Sequence, residues 1–333
     1  MDKTEMRLDP LTEAWTLFSE ARATRPAYGS VRGETSDDPF NAGLERYSAR
    51  TLHQADSDHG WQVRVVPNRA PVLRVEGDAT RRSDGFYDHA DGVGAHEVIV
   101  EDPGARALEE LPIADVEKVI DAWKARMLDL MHDSRMRAFS VIKSVGKAAG
   151  AQTAHSVSQL VALAVMPPNL RRKLEIARRF YELKKRSIFD DILAEEVRAG
   201  SRLVYENNGF TVFCPYAARA PFELAIFPKR QCPDFHGLSD QERTQFADAL
   251  RMALRKLNAA LNHPPYQLAL TTAPTRTPRH DEWATIEQDF RWHVEIVPRL
   301  HPPNPIELAT GCWVNSVWPE VAASSMRNVV VPE

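Results

Sequence analysis

The sequence predicts an α+β protein built from two similar halves, each with an antiparallel sheet and one long helix. Two observations support this prediction. Apolar residues recur at helical spacing in residues 112–131 and again in residues 239–261. Short segments rich in β-branched and aromatic residues surround both helical stretches. Each half therefore presents strands, one long helix and further strands, and we expect the halves to span residues 1–185 and 186–333.

In the first half, Val63, Val65 and Val66 predict a strand that runs into a proline-flanked turn. Residues 96–100 and 139–142 predict two more strands, one on each side of the helix at 112–131. A glycine-rich turn follows at 146–151. The charge-rich stretch 170–193 contains many helix formers, and we expect it to bridge the two halves.

In the second half, an Asn-Asn-Gly turn between residues 203–205 and 210–213 predicts a hairpin. Residues 222–227 predict a strand. The helix at 239–261 begins with Ser239, a favourable N-cap residue. Strands are then expected at 266–271 and 292–297.

Composition excludes several classes of protein. The chain has 333 residues, 43% hydrophobic and 26% charged, and its formal net charge is −4, so nothing favours nucleic acid or an anionic membrane as partner. No run of apolar residues is long enough for a membrane span, and the N-terminus lacks a signal core. Cys214, Cys232 and Cys312 form no CxxC pair, which favours a reducing, cytoplasmic location.

Residues 150–160 read GAQTAHSVSQL. This run resembles the active-site segment of the galactose-1-phosphate uridylyltransferase family, a branch of the histidine-triad superfamily, which reads Gly-Ala-Ser-x-x-His-Pro-His-Ser-Gln. Further segments resemble the same family in the same order, from about residue 7 to residue 320. They include WQVRVVPNRAPVL, GVGAHEVIV, FELAIFPKR and FRWHVEIVPRL. The resemblance implies two histidine-triad-like halves and a homodimer.

In the family, the second His of the triplet is the nucleophile that carries the nucleotidyl group. The matching residue here is Val157, which has no atom able to attack phosphorus. His155 lies two residues earlier, and in an extended segment these two side chains share one side. His155 could therefore replace the nucleophile, act as an acid or base, or fill a structural position by hydrogen bonding.

The resemblance also implies ligand contacts elsewhere. Gln159 matches a Gln that binds phosphates in the family, and Ser156 and Ser158 could add hydroxyl donors; the alternative is a polar turn. Further candidates match segments that line the nucleotide site, although without the family they would be ordinary surface residues: Arg22, Arg25, Asn68 and Lys143. Lys147 is expected to be a surface charge, whereas Lys229 and Arg230 either reach a sugar phosphate or are surface charges.

The family's metal sites are depleted here. A structural zinc site would be formed by Asp38, Asn41, Ala105 and His155, a poor set of zinc ligands, so we expect no structural zinc. A second site in some relatives uses one Glu and three His. The matching residues are Glu182, Thr271, Arg291 and His293, and Arg291 would repel a cation. Arg291 and His293 could instead hold a substrate anion, or Arg291 could pair with Glu182.

Three functions remain open from the sequence. The first is a repurposed enzyme that binds a nucleotide or another phosphorylated small molecule and acts without a covalent histidyl–nucleotide, with Gln159 positioning the substrate and His155 or His293 carrying a proton. It would suit specialised metabolism, and no cofactor is implied. The second is a non-catalytic, nucleotide-binding or regulatory homologue. The third is a genuine hexose-1-phosphate uridylyltransferase or nucleotidyltransferase whose nucleophile lies elsewhere.

Overall fold

The computed structural model describes residues 4–8, 10, 15–19, 38–276 and 283–331 of the chain. The strands of this part are β1 Thr4–Leu8, β2 Trp15–Ser19, β3 His53–Ser57, β4 Gly60–Pro67, β5 Arg82–Asp84, β6 Tyr87–Asp91, β7 Gly94–Val100, β8 Ala138–Val145, β9 Val157–Leu163, β10 Leu203–Glu206, β11 Phe210–Phe213, β12 Leu224–Pro228, β13 Tyr266–Thr271 and β14 His293–Pro298. The helices are α1 Ile113–Leu130, α2 Pro168–Lys184, α3 Ile188–Ala199, α4 Asp240–Leu261, α5 Ile286–Asp289, α6 Pro305–Thr310 and α7 Pro319–Asn328.

The strands form two antiparallel sheets, which confirms the predicted α+β class. The large sheet has ten strands in the order β10-β11-β12-β14-β13-β8-β9-β7-β4-β3, and the small sheet has the order β2-β1-β6-β5. Strands β8 and β13 pair antiparallel along six residues, from Ser140–Thr271 to Val145–Tyr266. The strands contributed by the first and second halves of the chain therefore form one continuous sheet.

Both long helices pack on the same face of the large sheet. α1 lies against β4, β7 and β9, whereas α4 lies against β10, β11 and β12, and the two helices also contact each other. Their apolar sides bury an aromatic cluster in which Trp123 and Trp292 are fully buried, with Phe246 5.1 Å from Trp292 between ring centroids. Burial of this much apolar surface is the main force that fixes the helices to the sheet.

Two element boundaries differ from the sequence-based expectation, each for a local reason. The stretch 170–193 forms two helices, because Lys185 adopts a left-handed conformation (φ 55°) that ends α2. Ser187 then caps α3 by accepting a hydrogen bond from the backbone N–H of Phe189. In the second half, Phe222 also has a positive φ (61°), so strand β12 begins only at Leu224. The expected Ser239 cap of α4 is present as a full capping box with Glu242.

Gly94, the first residue of β7, allows the close approach of β9. A Cβ added there would lie 2.2 Å from the carbonyl oxygen of Ala162, the residue that pairs with Ala95 on the neighbouring strand. The same Cβ would lie 2.9 Å from the Leu73 side chain. Because one contact is to backbone, the clash is relieved only by moving a strand.

We therefore expect Gly94→Ala to lower the free energy of unfolding by about 1–3 kcal/mol, the usual cost of overpacking. The matched control is Gly237→Ala, where the added Cβ would make an ordinary contact 3.5 Å from the Cys232 sulfur. Urea denaturation of both variants measures the difference. Equal stability of the two variants would contradict a tight β7–β9 contact at Gly94.

Candidate functional site

A solvent-open cleft with about 800 Å³ of empty volume lies over strands β4, β7 and β9, on the sheet face opposite α1. Its rim is completed by the glycine-rich turn at 150–153 and by residues 39–40 and 48–49. The polar side chains that line it are Ser48, Asn68, Arg69, Ser144, Gln152, Thr153 and Gln159. The remaining lining is largely apolar, as is usual for small-molecule sites.

The alternation of β9 decides which residues of the GAQTAHSVSQL run reach this cleft. Val157 and Gln159 are half-buried and line it. Ser158 is fully buried on the opposite face, where its hydroxyl oxygen accepts a hydrogen bond from the Trp123 indole N–H (2.8 Å). Side chains at i and i+2 share a face and those at i+1 do not. The serine expected as a ligand donor is thus used to hold α1 on the sheet.

Lys143 and Ser156 also lie away from the cleft, in a buried cluster. The Lys143 ammonium donates to Glu101 (2.5 Å), to the Ser156 hydroxyl (3.0 Å) and to the Val157 carbonyl oxygen (3.3 Å). Ser156 donates to the same Glu101 carboxylate (2.6 Å). Lys143 is 2% exposed and Glu101 is fully buried, so the cluster fixes the backbone at the start of β9 and leaves Lys143 unable to bind a ligand.

Three side chains form a connected network at the cleft floor. The His96 Nε2 lies 2.7 Å from the Gln159 Oε1 and 3.1 Å from the Asn68 Nδ2, and its Nδ1 accepts a hydrogen bond from the Val72 backbone N–H. With Nδ1 occupied as an acceptor, Nε2 carries the proton and donates it to Gln159. Asn68 donates to the same Gln159 oxygen (3.3 Å). The Gln159 amide is therefore oriented with its NH₂ free of this network.

Sequence reasoning placed Asn68 and Gln159 at a nucleotide site and did not single out His96 or Arg69. His96 lies within the GVGAHEVIV segment, and Arg69 follows Asn68 directly in WQVRVVPNRAPVL. The sequence identified both segments but not the pairing of β7 with β9. That pairing sets Val98 opposite Gln159 and so brings His96 close to Gln159. Arg69 is exposed. Within the described residues, it is the one charged side chain that lines the cleft.

The cleft contains few groups that could form a covalent intermediate. Within the described residues, its lining includes no histidine, cysteine, aspartate or glutamate. Val157 presents two methyl groups, and the nearby His96 is engaged at both ring nitrogens. What the arrangement can do chemically is bind, orient and stabilise charge through amide, hydroxyl and guanidinium groups.

His155 lies outside the cleft, in a buried position behind Phe40. Its Nε2 donates to the Asp102 carbonyl oxygen (2.6 Å), and its Nδ1 lies 3.7 Å from the Asp38 carboxylate. Burial lowers the pKa of His155 below its ordinary value. Asp38 accepts a hydrogen bond from Thr153 (2.8 Å), and no group of three or more His, Cys, Asp or Glu able to hold a metal occurs in the described part of the chain.

The second candidate cluster lies on β14 and beneath α2. The His293 Nδ1 donates to the Arg291 carbonyl oxygen (2.9 Å), and its Nε2 accepts from the Lys173 ammonium (2.8 Å). Lys173 also donates to Glu295 (2.7 Å). The imidazole is packed among Phe189, Phe227 and Phe290. It is 3% exposed and does not line the cleft, so the structure does not bring it together with Gln159.

The expected pairing of Arg291 with Glu182 is wrong. Arg291 is buried and donates to the Asp190 carboxylate on α3 and to the Pro228 carbonyl oxygen (2.7 Å). Glu182 is exposed on α2 and lies 3.8 Å from Arg178, one helical turn away. The start of α3 thus supplies the carboxylate, because the chain turns at Lys185 instead of continuing as one helix.

The other predicted residues lie apart from the cleft or outside the described residues. Arg22 and Arg25 fall outside the residues that the structure describes. Lys147 is exposed on the turn. Lys229 pairs with Glu206 (2.6 Å), and Arg230 pairs with Glu242 on α4, so both are surface ion pairs.

The burial of His293 predicts a pH-dependent stability. Burial and the Lys173 charge lower the pKa of His293 from 6.5 to about 4. Between these values the unfolded chain binds a proton that the folded protein does not, so stability falls as pH drops from about 6.5 towards 4 and the loss is complete below it. His293→Gln should flatten this part of the curve relative to wild type.

The control is His301→Gln, because His301 is exposed and outside the buried cluster. Thermal or urea unfolding across pH 4–6.5 measures the slope. A His293→Gln slope as steep as that of wild type would contradict a neutral, buried imidazole.

The comparisons with known proteins agree along almost the whole chain. The family model "Galactose-1-phosphate uridyl transferase, N-terminal domain" matches residues 1–167. The chain is 30% identical over 335 residues to ADP-glucose phosphorylase from Arabidopsis thaliana, covering 98% of this chain and 93% of that protein. It is 26% identical over 336 residues to galactose-1-phosphate uridylyltransferase from Thermotoga maritima, covering 98% and 99%.

The fold is shared with solved structures of similar proteins. The crystal structure of Arabidopsis thaliana ADP-glucose phosphorylase with bound ADP-glucose superposes with a TM-score of 0.78 at 29% identity, covering 98% of this chain and 100% of that one. A uridylyltransferase structure superposes with a TM-score of 0.80 at 25% identity, covering 97% of each chain. Also, no helix among the described residues has the length and apolar character needed to cross a membrane. A match over half of the sequence and 30% identity over nearly all of it lead to one conclusion: the chain belongs to the galactose-1-phosphate uridyl transferase family.

Proposed function

We propose that this protein binds a sugar nucleotide in the cleft and transfers or hydrolyses its nucleotidyl group without a covalent histidyl–nucleotide intermediate. The observation that supports this most directly is the position of Val157. It lies on the cleft face of β9 beside Gln159, and the described lining offers no imidazole, thiol or carboxylate in its place. A two-step transfer through a histidyl–nucleotide requires an imidazole in the cleft.

A sugar nucleotide is the ligand that the relatives favour. The Arabidopsis thaliana phosphorylase was solved with ADP-glucose bound, and that protein covers this chain almost completely. We therefore propose an adenine-containing sugar nucleotide as the first ligand to test. In the cleft, the NH₂ groups of Asn68 and Gln159 and the guanidinium of Arg69 are suited to phosphate oxygens. Arg22 and Arg25 remain proposed phosphate contacts.

The proposed chemistry is a single displacement. An oxygen of water or of an acceptor phosphate attacks the α-phosphorus, and the bond from that phosphorus to the sugar 1-phosphate oxygen breaks. The sugar 1-phosphate leaves, and the acceptor oxygen carries the nucleotidyl group. Cleft residues contribute positioning and stabilisation of the developing negative charge. Neither His155 nor His293 lines the cleft, so the proton from water passes to solvent.

A non-catalytic homologue is the second candidate, favoured by the lack of titratable groups among the described cleft-lining residues other than Arg69. A conventional uridylyltransferase would need a nucleophile from elsewhere. We also propose, from the family, a homodimer of two-part subunits (1–185 and 186–333) that acts in the cytoplasm in specialised metabolism.

Binding through the cleft predicts different effects for two neighbouring residues. Gln159→Leu should weaken ADP-glucose binding about tenfold or more, because a hydrogen bond to a charged group is worth about 1.5–3 kcal/mol. Ser158→Ala removes the Trp123 contact on the opposite face, so it should lower stability and leave affinity unchanged. Isothermal titration calorimetry measures both affinities. Equal loss in the two variants would contradict cleft binding.

The absence of a histidyl intermediate predicts the stereochemistry at phosphorus. With ADP-glucose made chiral by sulfur substitution at the α-phosphorus, one displacement inverts configuration and two retain it. We expect inversion, and no radiolabelled nucleotide attached to wild-type protein after denaturation at alkaline pH.

Val157→His should gain such an adduct, since it places an imidazole on the cleft face. Val157→Gln is the control, because glutamine is polar and of similar size but does not form a stable phosphoryl adduct. Retention of configuration, or an adduct on wild type, would overturn the single displacement. Binding without any turnover would favour the non-catalytic homologue.

A further inference from the structure

A second concavity, here called the arginine groove, lies on the same sheet face as the cleft. It has about 1600 Å³ of empty volume between α2 and strands β8, β13 and β14. Cross-strand neighbours place Gln159, Ile142, Ala269 and Glu295 in one row across β9, β8, β13 and β14. Neighbouring strands are about 4.8 Å apart, so the row spans roughly 14 Å from the cleft to the far side of the groove.

The groove has an excess of positive charge. The charged residues that line it are Arg172, Lys173, Arg219, Arg299 and Glu295. Glu295 pairs with both Lys173 (2.7 Å) and Arg219 (2.9 Å), and these cations are also held by His293 and Glu223. Lys173 and Arg219 are therefore engaged in maintaining the wall.

Arg172 and Arg299 differ from these two cations because neither pairs with a carboxylate among the described residues. Arg172 is exposed on α2 and makes no ion pair with a carboxylate in the described part of the chain. Arg299 is half-buried, and its side chain donates only to the neutral oxygen of Gln267, through Nε (2.8 Å) and Nη2. Its Nη1 has no hydrogen-bond partner among the described residues. A fixed guanidinium with a neutral partner keeps its full charge for an anion.

Arg299 is also connected to the cleft. The Gln267 amide that receives Arg299 donates through its NH₂ to the Ala149 carbonyl oxygen (3.0 Å). Ala149 ends the short 3₁₀ turn Lys147–Ala149, and Gly150, Ala151 and Gln152 directly after it line the cleft. Two hydrogen bonds, Arg299 to Gln267 and Gln267 to Ala149, thus connect an anion-binding Arg299 to the turn that leads into the cleft wall.

We propose that the arginine groove is a second ligand site, which binds a sugar phosphate through Arg172 and Arg299 while a nucleotide occupies the cleft. The inference deepens the proposed function, on which it rests: an enzyme with a covalent intermediate can use one pocket in two successive steps, whereas a single displacement must hold both partners together. Trp313, 58% exposed at the groove, supplies an indole face for the apolar side of a sugar ring.

The test is calorimetric titration of the full chain with glucose 1-phosphate and, separately, with inorganic phosphate. Arg172→Gln and Arg299→Gln should each weaken glucose 1-phosphate binding about tenfold. The matched control is Arg179→Gln, an exposed arginine on the same helix that does not line the groove, and its affinity should equal that of wild type. Equal effects of all three substitutions, as expected for bulk charge alone, would overturn the proposal.

Trp313→Ala separates sugar recognition from phosphate recognition. Wild type should bind glucose 1-phosphate more tightly than inorganic phosphate, and Trp313→Ala should remove that preference while phosphate binding persists. A preference that survives Trp313→Ala contradicts the sugar part of the assignment. If Arg299→Gln instead leaves glucose 1-phosphate affinity unchanged and converts a dimer to a monomer in sedimentation, the groove is an interface between copies and the proposal is overturned.

Titration of ADP-glucose into the same variants distinguishes failure here from failure of the proposed function. Arg172→Gln should leave ADP-glucose affinity unchanged, and Gln159→Leu should lower it. If wild type does not bind ADP-glucose, the proposed nucleotide site in the cleft is refuted, whatever the groove binds. Conversely, normal ADP-glucose binding with no arginine-dependent binding of glucose 1-phosphate would refute the groove alone.

Discussion

The position of strand β9 within a continuous antiparallel sheet is the constraint on which the rest of the site depends. Its inward side is fixed by the Trp123–Ser158 hydrogen bond and by the buried Lys143–Glu101–Ser156 cluster. With these residues committed to the interior, the period-two alternation of a strand leaves Val157 and Gln159 facing the cleft. A one-residue shift would expose the buried cluster and is therefore strongly disfavoured.

The same constraint makes the fold tolerant of the residue at position 157. The Val157 side chain is half-buried on the cleft face, so its identity affects the ligand site more than the core. The support for Gln159 from His96 and Asn68 is independent of residue 157. The orientation of the Gln159 amide is thus fixed without any contribution from the side chain at position 157.

The two regions that the family resemblance matched to metal sites hold protein groups of different chemistry. Near Asp38, a neutral His155 donates to a carbonyl oxygen, and the carboxylate is held by Thr153. Near His293, the Lys173 ammonium bridges an imidazole and the Glu295 carboxylate. A lysine ammonium between a neutral nitrogen and a carboxylate donates hydrogen bonds to the lone pairs that a metal ion would otherwise bind. Unlike a metal ion, it does not require three or four ligands.

The sequence by itself determined the α+β class, the strand and helix segments of both halves, the Ser239 cap and the presence at position 157 of a valine, which has no nucleophilic atom, because these follow from local periodicity, capping chemistry and residue identity. The tertiary structure decided which polar residues face a ligand. Lys143, Ser156 and Ser158 are as polar as Gln159, and only strand pairing and the packing of α1 separate them. The Arg291–Asp190 pair, the role of His96 and the joining of both halves through β8 and β13 likewise depend on contacts between residues distant in sequence, which local patterns do not encode.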